Sequence, residues 1–123
     1  MLLPGYIPDD AVPAVLSAAT ALVYPSLYEG FGLPALEAMA CGTPVIAAKT
    51  SSLPEVVGEA GLLVDPLSVE EIAAAMHRLL ADEALRAALS RQGRERAALF
   101  SWDRCARETL AVLDETLTLR GPC

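Results

Sequence analysis

Apolar residues fall in short runs set apart by proline, glycine and serine. Ala21-Leu22-Val23-Tyr24 ends at Pro25, Pro44-Val45-Ile46-Ala47-Ala48 follows Gly42, and Gly61-Leu62-Leu63-Val64 is a third run of the same kind. Segments this short and this uniformly apolar predict buried strands rather than half-solvated ones. The opening Met1-Leu2-Leu3-Pro4-Gly5 reads as the tail of a further strand running into a turn.

Helices are predicted between and after these runs. Asp9-Asp10 precede Ala11-Val12-Pro13-Ala14-Val15-Leu16, an Asp N-cap with proline in a first turn whose N–H groups lack intrahelical partners. Leu33 to Ala40 has Pro34 near its start and Gly42 just past its end, the expected asymmetry of a helix. Leu53 to Val57 reads as a short helix, and the rest as helices over 69–81, 83–99 and 102–119. Ser101 is placed as N-cap of the last, with Phe100 and Cys105 spaced for a hydrophobic staple. Trp102 is expected to anchor that helix in the core. Strands alternating with helices predict an α/β domain with a parallel sheet of three to four strands and at least one poorly covered edge.

A chain of 123 residues has room for one domain. At 54% hydrophobic residues and a mean hydropathy of +0.41 it folds, with apolar surface to spare for a partner. A net charge of −7 excludes a generic binder of nucleic acid or anionic membrane. The charge is also unevenly spread. Residues 1–77 hold one cation, Lys49, while all eight arginines lie from Arg78 onward. Sequences such as Arg94-Glu95-Arg96 read as solvated helix faces.

Cys41, Cys105 and Cys123 are odd in number and far apart, and His77 has no ligand partner at helical spacing. Neither a disulfide framework nor a metal site is expected. Unpaired thiols, with no leader and no apolar run of transmembrane length, fit a cytoplasmic setting.

The candidate chemistry lies at Glu29-Gly30-Phe31-Gly32-Leu33-Pro34, between a strand end and a helix start. In open parallel sheets that is where ligands bind. Gly30 and Gly32 let the backbone approach a ligand closely. The N–H groups of Phe31, Gly32 and Leu33 are donors at a positive helix end, suited to a phosphate or diphosphate. Glu29 in the loop and Glu37 one turn into the helix offer acceptors for hydroxyls. Taken alone, two such glutamates are more often structural, since an acid early in a helix commonly caps it.

The longer string Pro25-Ser26-Leu27-Tyr28-Glu29-Gly30-Phe31-Gly32-Leu33-Pro34-Ala35-Leu36-Glu37-Ala38-Met39-Ala40-Cys41-Gly42-Thr43-Pro44-Val45-Ile46 resembles the signature of the group-1 (family 4) retaining GT-B glycosyltransferases, with an E-x7-E motif at Glu29 and Glu37. The likeness continues through Ser52-Leu53-Pro54-Glu55-Val56-Val57-Gly58, Ala60 to Val64 and Phe100-Ser101-Trp102. It implies that residues 1–123 are the later part of a GT-B C-terminal domain, a Rossmann-like parallel sheet flanked by helices. By the resemblance Glu29 is the catalytic-centre residue beside the donor sugar, and Glu37 binds ribose hydroxyls. Gly30, Phe31, Gly32 and Leu33 cradle the diphosphate and sugar, and Tyr6 and Ile7 match the family's base-contacting segment. The implied substrate is a nucleotide-sugar, and no metal or other cofactor is expected.

Cations aimed at a departing diphosphate stabilise the transition state of glycosyl transfer. The family supplies an Arg and a Lys from a region earlier than the matched one, and an acceptor platform from an N-terminal domain. Neither is present here, so the chain is expected to be a portion of a hexosyltransferase-like enzyme, inactive alone. An alternative is a non-catalytic nucleotide-sugar-binding or interaction module working with a partner chain. A third reading, a sugar-nucleotide epimerase, fits the E-x7-E string poorly. A homo-oligomer through the uncovered sheet edge or the last helix is also expected.

Overall fold

The computed structural model describes residues 1–119; Arg120, Gly121, Pro122 and Cys123 lie outside the described residues. Three strands form, β1 (Leu22–Tyr24), β2 (Val45–Ala48) and β3 (Leu62–Val64). They pair in parallel in the order β1-β2-β3, with Val23 opposite Ile46 and Ile46 opposite Leu62. Helices cover both faces, giving the expected Rossmann-like α/β architecture. No strand forms over Met1 to Gly5, where Leu2 and Leu3 are exposed. Among the described residues the sheet therefore has three strands, and one edge of β1 has no neighbour.

Central β2 is buried at every position, as its unbroken apolar run requires. Strand β1 is only half-buried throughout, because it lies at the sheet edge. Successive residues of β2 serve opposite faces. Val45 and Ala47 pack with Ala35, Ala38 and Met39 of α2 (Leu33–Ala40) and with Leu53, Val56 and Val57 of α3 (Leu53–Val57). Ile46 packs with Val64, with Ala75 and Leu79 of α4 (Val69–Ala81), and with Leu89 of α5 (Glu83–Ala97). A 3-10 turn at Gly58–Ala60 leads into β3.

Helix α2 ends as its glycine predicts. Gly42, at φ +77°, donates to Met39 O at 2.9 Å, and Thr43 N donates to Ala38 O at 2.8 Å. This crossed pair closes the helix and needs a left-handed residue at position 42. The buried Thr43 hydroxyl then donates to Leu16 O at 2.6 Å, tying α2 to α1 (Val12–Ala18).

Several expectations change. The N-cap of α1 is Ala11 without a side-chain hydrogen bond, since Asp9 enters a turn in which Ala11 N donates to Pro8 O. Two arginines are not solvated faces. Arg86 donates to Leu79 O and Leu80 O, and Arg96 to Glu55 O and Val56 O. Both guanidinium groups thus satisfy the open carbonyls that end the preceding helices α4 and α3. Arg104, paired with Glu108 one turn along, is the surface type.

The largest correction concerns α6 (Trp102–Leu119). Ser101 caps it, accepting from Arg104 N at 3.1 Å. Yet Trp102 is 77% exposed, and no described side chain of α6 is buried. Ala97 is the last described core residue, and the ring of half-buried Phe100 meets exposed Phe31 edge-on, centroids 5.8 Å apart, so the chain has left the core before α6 begins. Trp102, Leu110, Leu113 and Leu117 form an exposed apolar stripe at helical spacing, with no described residue burying it. No described helix is long and apolar enough to cross a membrane.

Candidate functional site

In a parallel sheet the loops that follow the strands share one edge of the domain. The loop after β1 runs from Pro25 to Gly32 and enters α2; the segment Lys49 to Ser52 follows β2 and enters α3. The two are joined by hydroxyl groups. Ser51 Oγ donates to Glu29 O at 2.7 Å and accepts from Glu29 N at 3.3 Å. Ser52 Oγ lies 3.0 Å from Glu29 O and 2.9 Å from Phe31 O, and Thr50 Oγ1 donates to Leu27 O at 3.4 Å.

Gly32 stands at the N-cap position of α2 with φ +99°, a backbone that residues with a Cβ avoid. A Cβ there would also lie 2.6 Å from Leu53 Cδ2. Its carbonyl starts the helix, accepting from Ala35 N and Leu36 N. Among the described residues no acceptor takes the N–H groups of Gly30, Phe31, Gly32 or Leu33. Phe31 and Leu33 are exposed. Gly30 is exposed as well, while Gly32 is buried. Unpaired amides at a helix N-terminus form a place of positive potential.

Glu29 is half-buried and folded back towards the end of β1. Its Oε1 accepts from Tyr24 Oη at 2.5 Å and from Ser26 Oγ at 2.8 Å. The Tyr24 bond first, and then the Ser26 bond, hold its carboxyl below the usual carboxylate range. The same contact, helped by burial and by the negative charge, pushes Tyr24 up to about 12. At neutral pH the pair is therefore a phenol donating to a carboxylate, with Oε2 the oxygen left to meet a ligand.

Glu37 is exposed on α2. It lies four residues after Leu33 and three after Pro34, so the three share one face, and its side chain leans towards the helix N-terminus. Glu29, Gly30, Phe31, Gly32 and Leu33 thus lie where the loop enters α2, and Glu37 lies one turn along the helix. The fold does not bring Tyr6 and Ile7 to them by any hydrogen bond among the described residues. Tyr6 is 85% exposed in the irregular N-terminal stretch, and Ile7 is half-buried.

Lys49 Nζ lies 3.3 Å from Glu71 Oε1 and 3.6 Å from Asp65 Oδ2, and Glu71 also accepts from Asp65 N at 2.7 Å. That cation organises the turn after β3 instead of reaching the glycine loop. His77 is exposed on α4, as expected for a helix-face residue. Among the described residues no group of three His, Cys, Asp or Glu side chains is placed to hold a metal ion. An open cavity of about 420 Å³, lined by Thr20, Pro44, Glu83, Arg86 and Ser90, sits at the amino ends of the strands, the opposite edge of the sheet.

Sequence reasoning passed over Thr50, Ser51 and Ser52 as site components. The available signal was three consecutive hydroxyl residues directly after a buried strand. It does not reveal the left-handed backbone of Ser51, φ +57°, which is the non-glycine positive φ of the described chain.

Residues 1–96 match the family model described as "Glycosyl transferases group 1". The chain is 48% identical over 106 residues to the O-antigen chain mannosyltransferase B of Escherichia coli, covering 86% of this chain and 28% of the relative. Its structure is similar to that of a sucrose-phosphate synthase from Thermosynechococcus elongatus, with a TM-score of 0.83 and 42% identity, over 94% of this chain and 30% of the other. It is also similar to the C-terminal domain of a group 1 family glycosyl transferase from Francisella tularensis, with a TM-score of 0.69 and 37% identity over 77% and 50% of the two chains. The chain thus spans under a third of the length of the mannosyltransferase and of the synthase.

Proposed function

This chain belongs to the group 1 glycosyl transferase family, and we propose that residues 1–123 are the donor-binding portion of a retaining, family 4 GT-B enzyme that moves a hexose from a nucleotide-sugar to an acceptor. The observation that carries the reading is the run of amides from Gly30 to Leu33 for which the described residues offer no acceptor, with Glu29 before it in the chain and Glu37 one turn after it on α2. Amides fixed at a helix end hold diphosphate oxygens before the reaction and need no reorganisation as charge grows on the leaving group.

In this reading Glu29 accepts from a hydroxyl of the donor sugar through Oε2 and places negative charge beside the anomeric carbon. Its low pKa makes it a poor proton donor, so it acts as a charge and an acceptor. The acceptor oxygen approaches on the face from which the diphosphate departs. As the new C–O bond forms and the old one breaks, the acceptor's proton passes to the leaving phosphate oxygen, and configuration is retained. Glu37 takes the ribose hydroxyls, and the backbone near Tyr6 and Ile7 meets the base. The nucleotide-sugar is a substrate, and neither a metal nor another cofactor takes part.

With Lys49 engaged by Asp65 and Glu71, the cations that neutralise the leaving diphosphate come from a region earlier in the C-terminal domain than the matched one, and the acceptor platform from an N-terminal GT-B domain. The 123-residue chain by itself binds donor weakly and does not turn it over. We place the enzyme in the cytoplasm, where nucleotide-sugars are the partners and nucleic acid is not.

The test is calorimetric titration with GDP-, UDP- and ADP-sugars. Mannosyl donors come first because the relative at 48% identity bears that name. Binding to one nucleotide class, weakened by Glu37→Ala, is the expected result. Binding unaffected by that substitution removes the ribose assignment, and no binding to any donor removes the reading.

A further inference from the structure

A trans peptide points its C=O and the following N–H in opposite directions. The carbonyl of Glu29 and the amide of Gly30 share one peptide; the carbonyl of Phe31 and the amide of Gly32 share another. No cis peptide occurs in the described chain. Ser51 Oγ donates to the Glu29 carbonyl at 2.7 Å, which leaves the single proton of Ser52 Oγ for the Phe31 carbonyl at 2.9 Å, with the Glu29 carbonyl 3.0 Å away. Both carbonyls are therefore drawn towards the loop after β2, and the amide of exposed Gly30 faces the other way, with the buried Gly32 peptide fixed behind it. Without those hydroxyls the peptide planes of so glycine-rich a loop would be free to rotate.

Two details indicate that the hydroxyls serve the loop rather than their own helix. Ser52 stands at the N-cap position of α3, where a serine ordinarily accepts from a first-turn amide, yet it makes no such cap. Ser51 keeps a left-handed backbone, φ +57°, that a residue with a Cβ rarely adopts. With that backbone its hydroxyl both donates to and accepts from Glu29.

We propose that Ser51 and Ser52 are positioning residues, which orient the Gly30 amide towards the diphosphate of the donor and hold the Gly32 peptide behind it. The inference rests on the donor-binding reading above and assigns the aim of its loop amides to hydroxyls on the loop after β2.

The test uses the 123-residue chain, its Ser51→Gly, Ser52→Ala and Ser52→Thr variants, and GDP, UDP, ADP and inorganic pyrophosphate as probes. Ser51→Gly removes the hydroxyl while keeping a residue at ease with positive φ, so backbone strain does not confound it. Affinity is read by calorimetry, the glycine amide signals by ¹H–¹⁵N correlation spectra, and folding by thermal melts. The expected result is that Gly30 and Gly32 signals shift on adding the bound probe to the native chain. Ser51→Gly and Ser52→Ala then bind it roughly tenfold more weakly, as for loss of about 1.4 kcal/mol, and Ser52→Thr recovers most of the affinity. A merely structural role would lower the melting temperature without moving those two amides. If the native chain binds a probe and both deletion variants bind it equally well, the positioning role is wrong and the donor site stands. If the native chain binds none of the probes, both fall together.

Discussion

The hydroxyl of Tyr24, the last residue of β1, lies 2.5 Å from Oε1 of Glu29, which opens the glycine-rich loop. Strand and loop are locked by one short contact whose strength depends on both protonation states. Glu29 is depressed below its ordinary 4.5, so its contribution to stability is present above that value and lost as pH falls through the lowered one. Tyr24 is raised from 10.0 to about 12, so its contribution is complete below pH 10 and lost as pH rises through 12. Denaturation midpoints measured across pH should fall at both ends in the native chain. Tyr24→Phe should flatten both, and ultraviolet titration should lose one phenol ionising near 12. An unchanged alkaline fall in Tyr24→Phe would show that the contact does not form.

Gly32→Ala should be the most damaging single change in the loop. The backbone at φ +99° resists a Cβ, and that Cβ would meet Leu53 Cδ2 at 2.6 Å. Leu53 is buried, so its side chain has little room to retreat. A loss of about 1–3 kcal/mol is expected in chemical denaturation, together with loss of donor binding. Gly30→Ala, with open space around its Cβ, should leave stability nearly unchanged.

Arg96→Met keeps much of the aliphatic stem but removes two hydrogen bonds to the end of α3 and the cation stacked 5.4 Å from the centre of the Phe100 ring. The half-buried carbonyl of Val56 loses its donor, so a cost of about 1–3 kcal/mol follows. Arg104→Met breaks an exposed pair and should shift the melting temperature within error. Equal effects of the two substitutions would mean that Arg96 is a surface residue after all.

Removing residues 101–123 should leave the melting temperature within a few degrees of the native value, since no described side chain of α6 is buried. The same truncation should abolish self-association, which light scattering should detect in the native chain at high concentration through the stripe of Trp102, Leu110, Leu113 and Leu117. A monomeric native chain at every concentration would show that this stripe does not mediate contact between copies.

What could be read from the sequence follows from how local each cause is. The strands were legible because an unbroken apolar run and the residues that stop it are neighbours in the chain, and so was the close of α2, where Gly42 sits. The cap of α4 by Ser68, which accepts from Glu71 N, has the same local character. What was missed depends on partners far along the chain. Nothing near Arg96 says that its guanidinium meets carbonyls at positions 55 and 56. Nothing near Trp102 says that the chain has already left the core at Phe100. The glutamates and glycines of the loop declare their chemistry by type, whereas the serines that hold the loop act through pairings across 21 to 23 positions. They look like ordinary turn residues until the fold is known.

The seam between the two loops is asymmetric. On one side it is made of the side chains of Thr50, Ser51 and Ser52, and on the other of main-chain atoms at Leu27, Glu29 and Phe31. Main-chain atoms persist whichever residue occupies those positions. Leu27, Tyr28 and Phe31, all exposed, can therefore diverge from one gene copy to the next without unfastening the edge. A scaffold held this way can be retuned for a new ligand by changing what it displays while the frame behind it stays fixed.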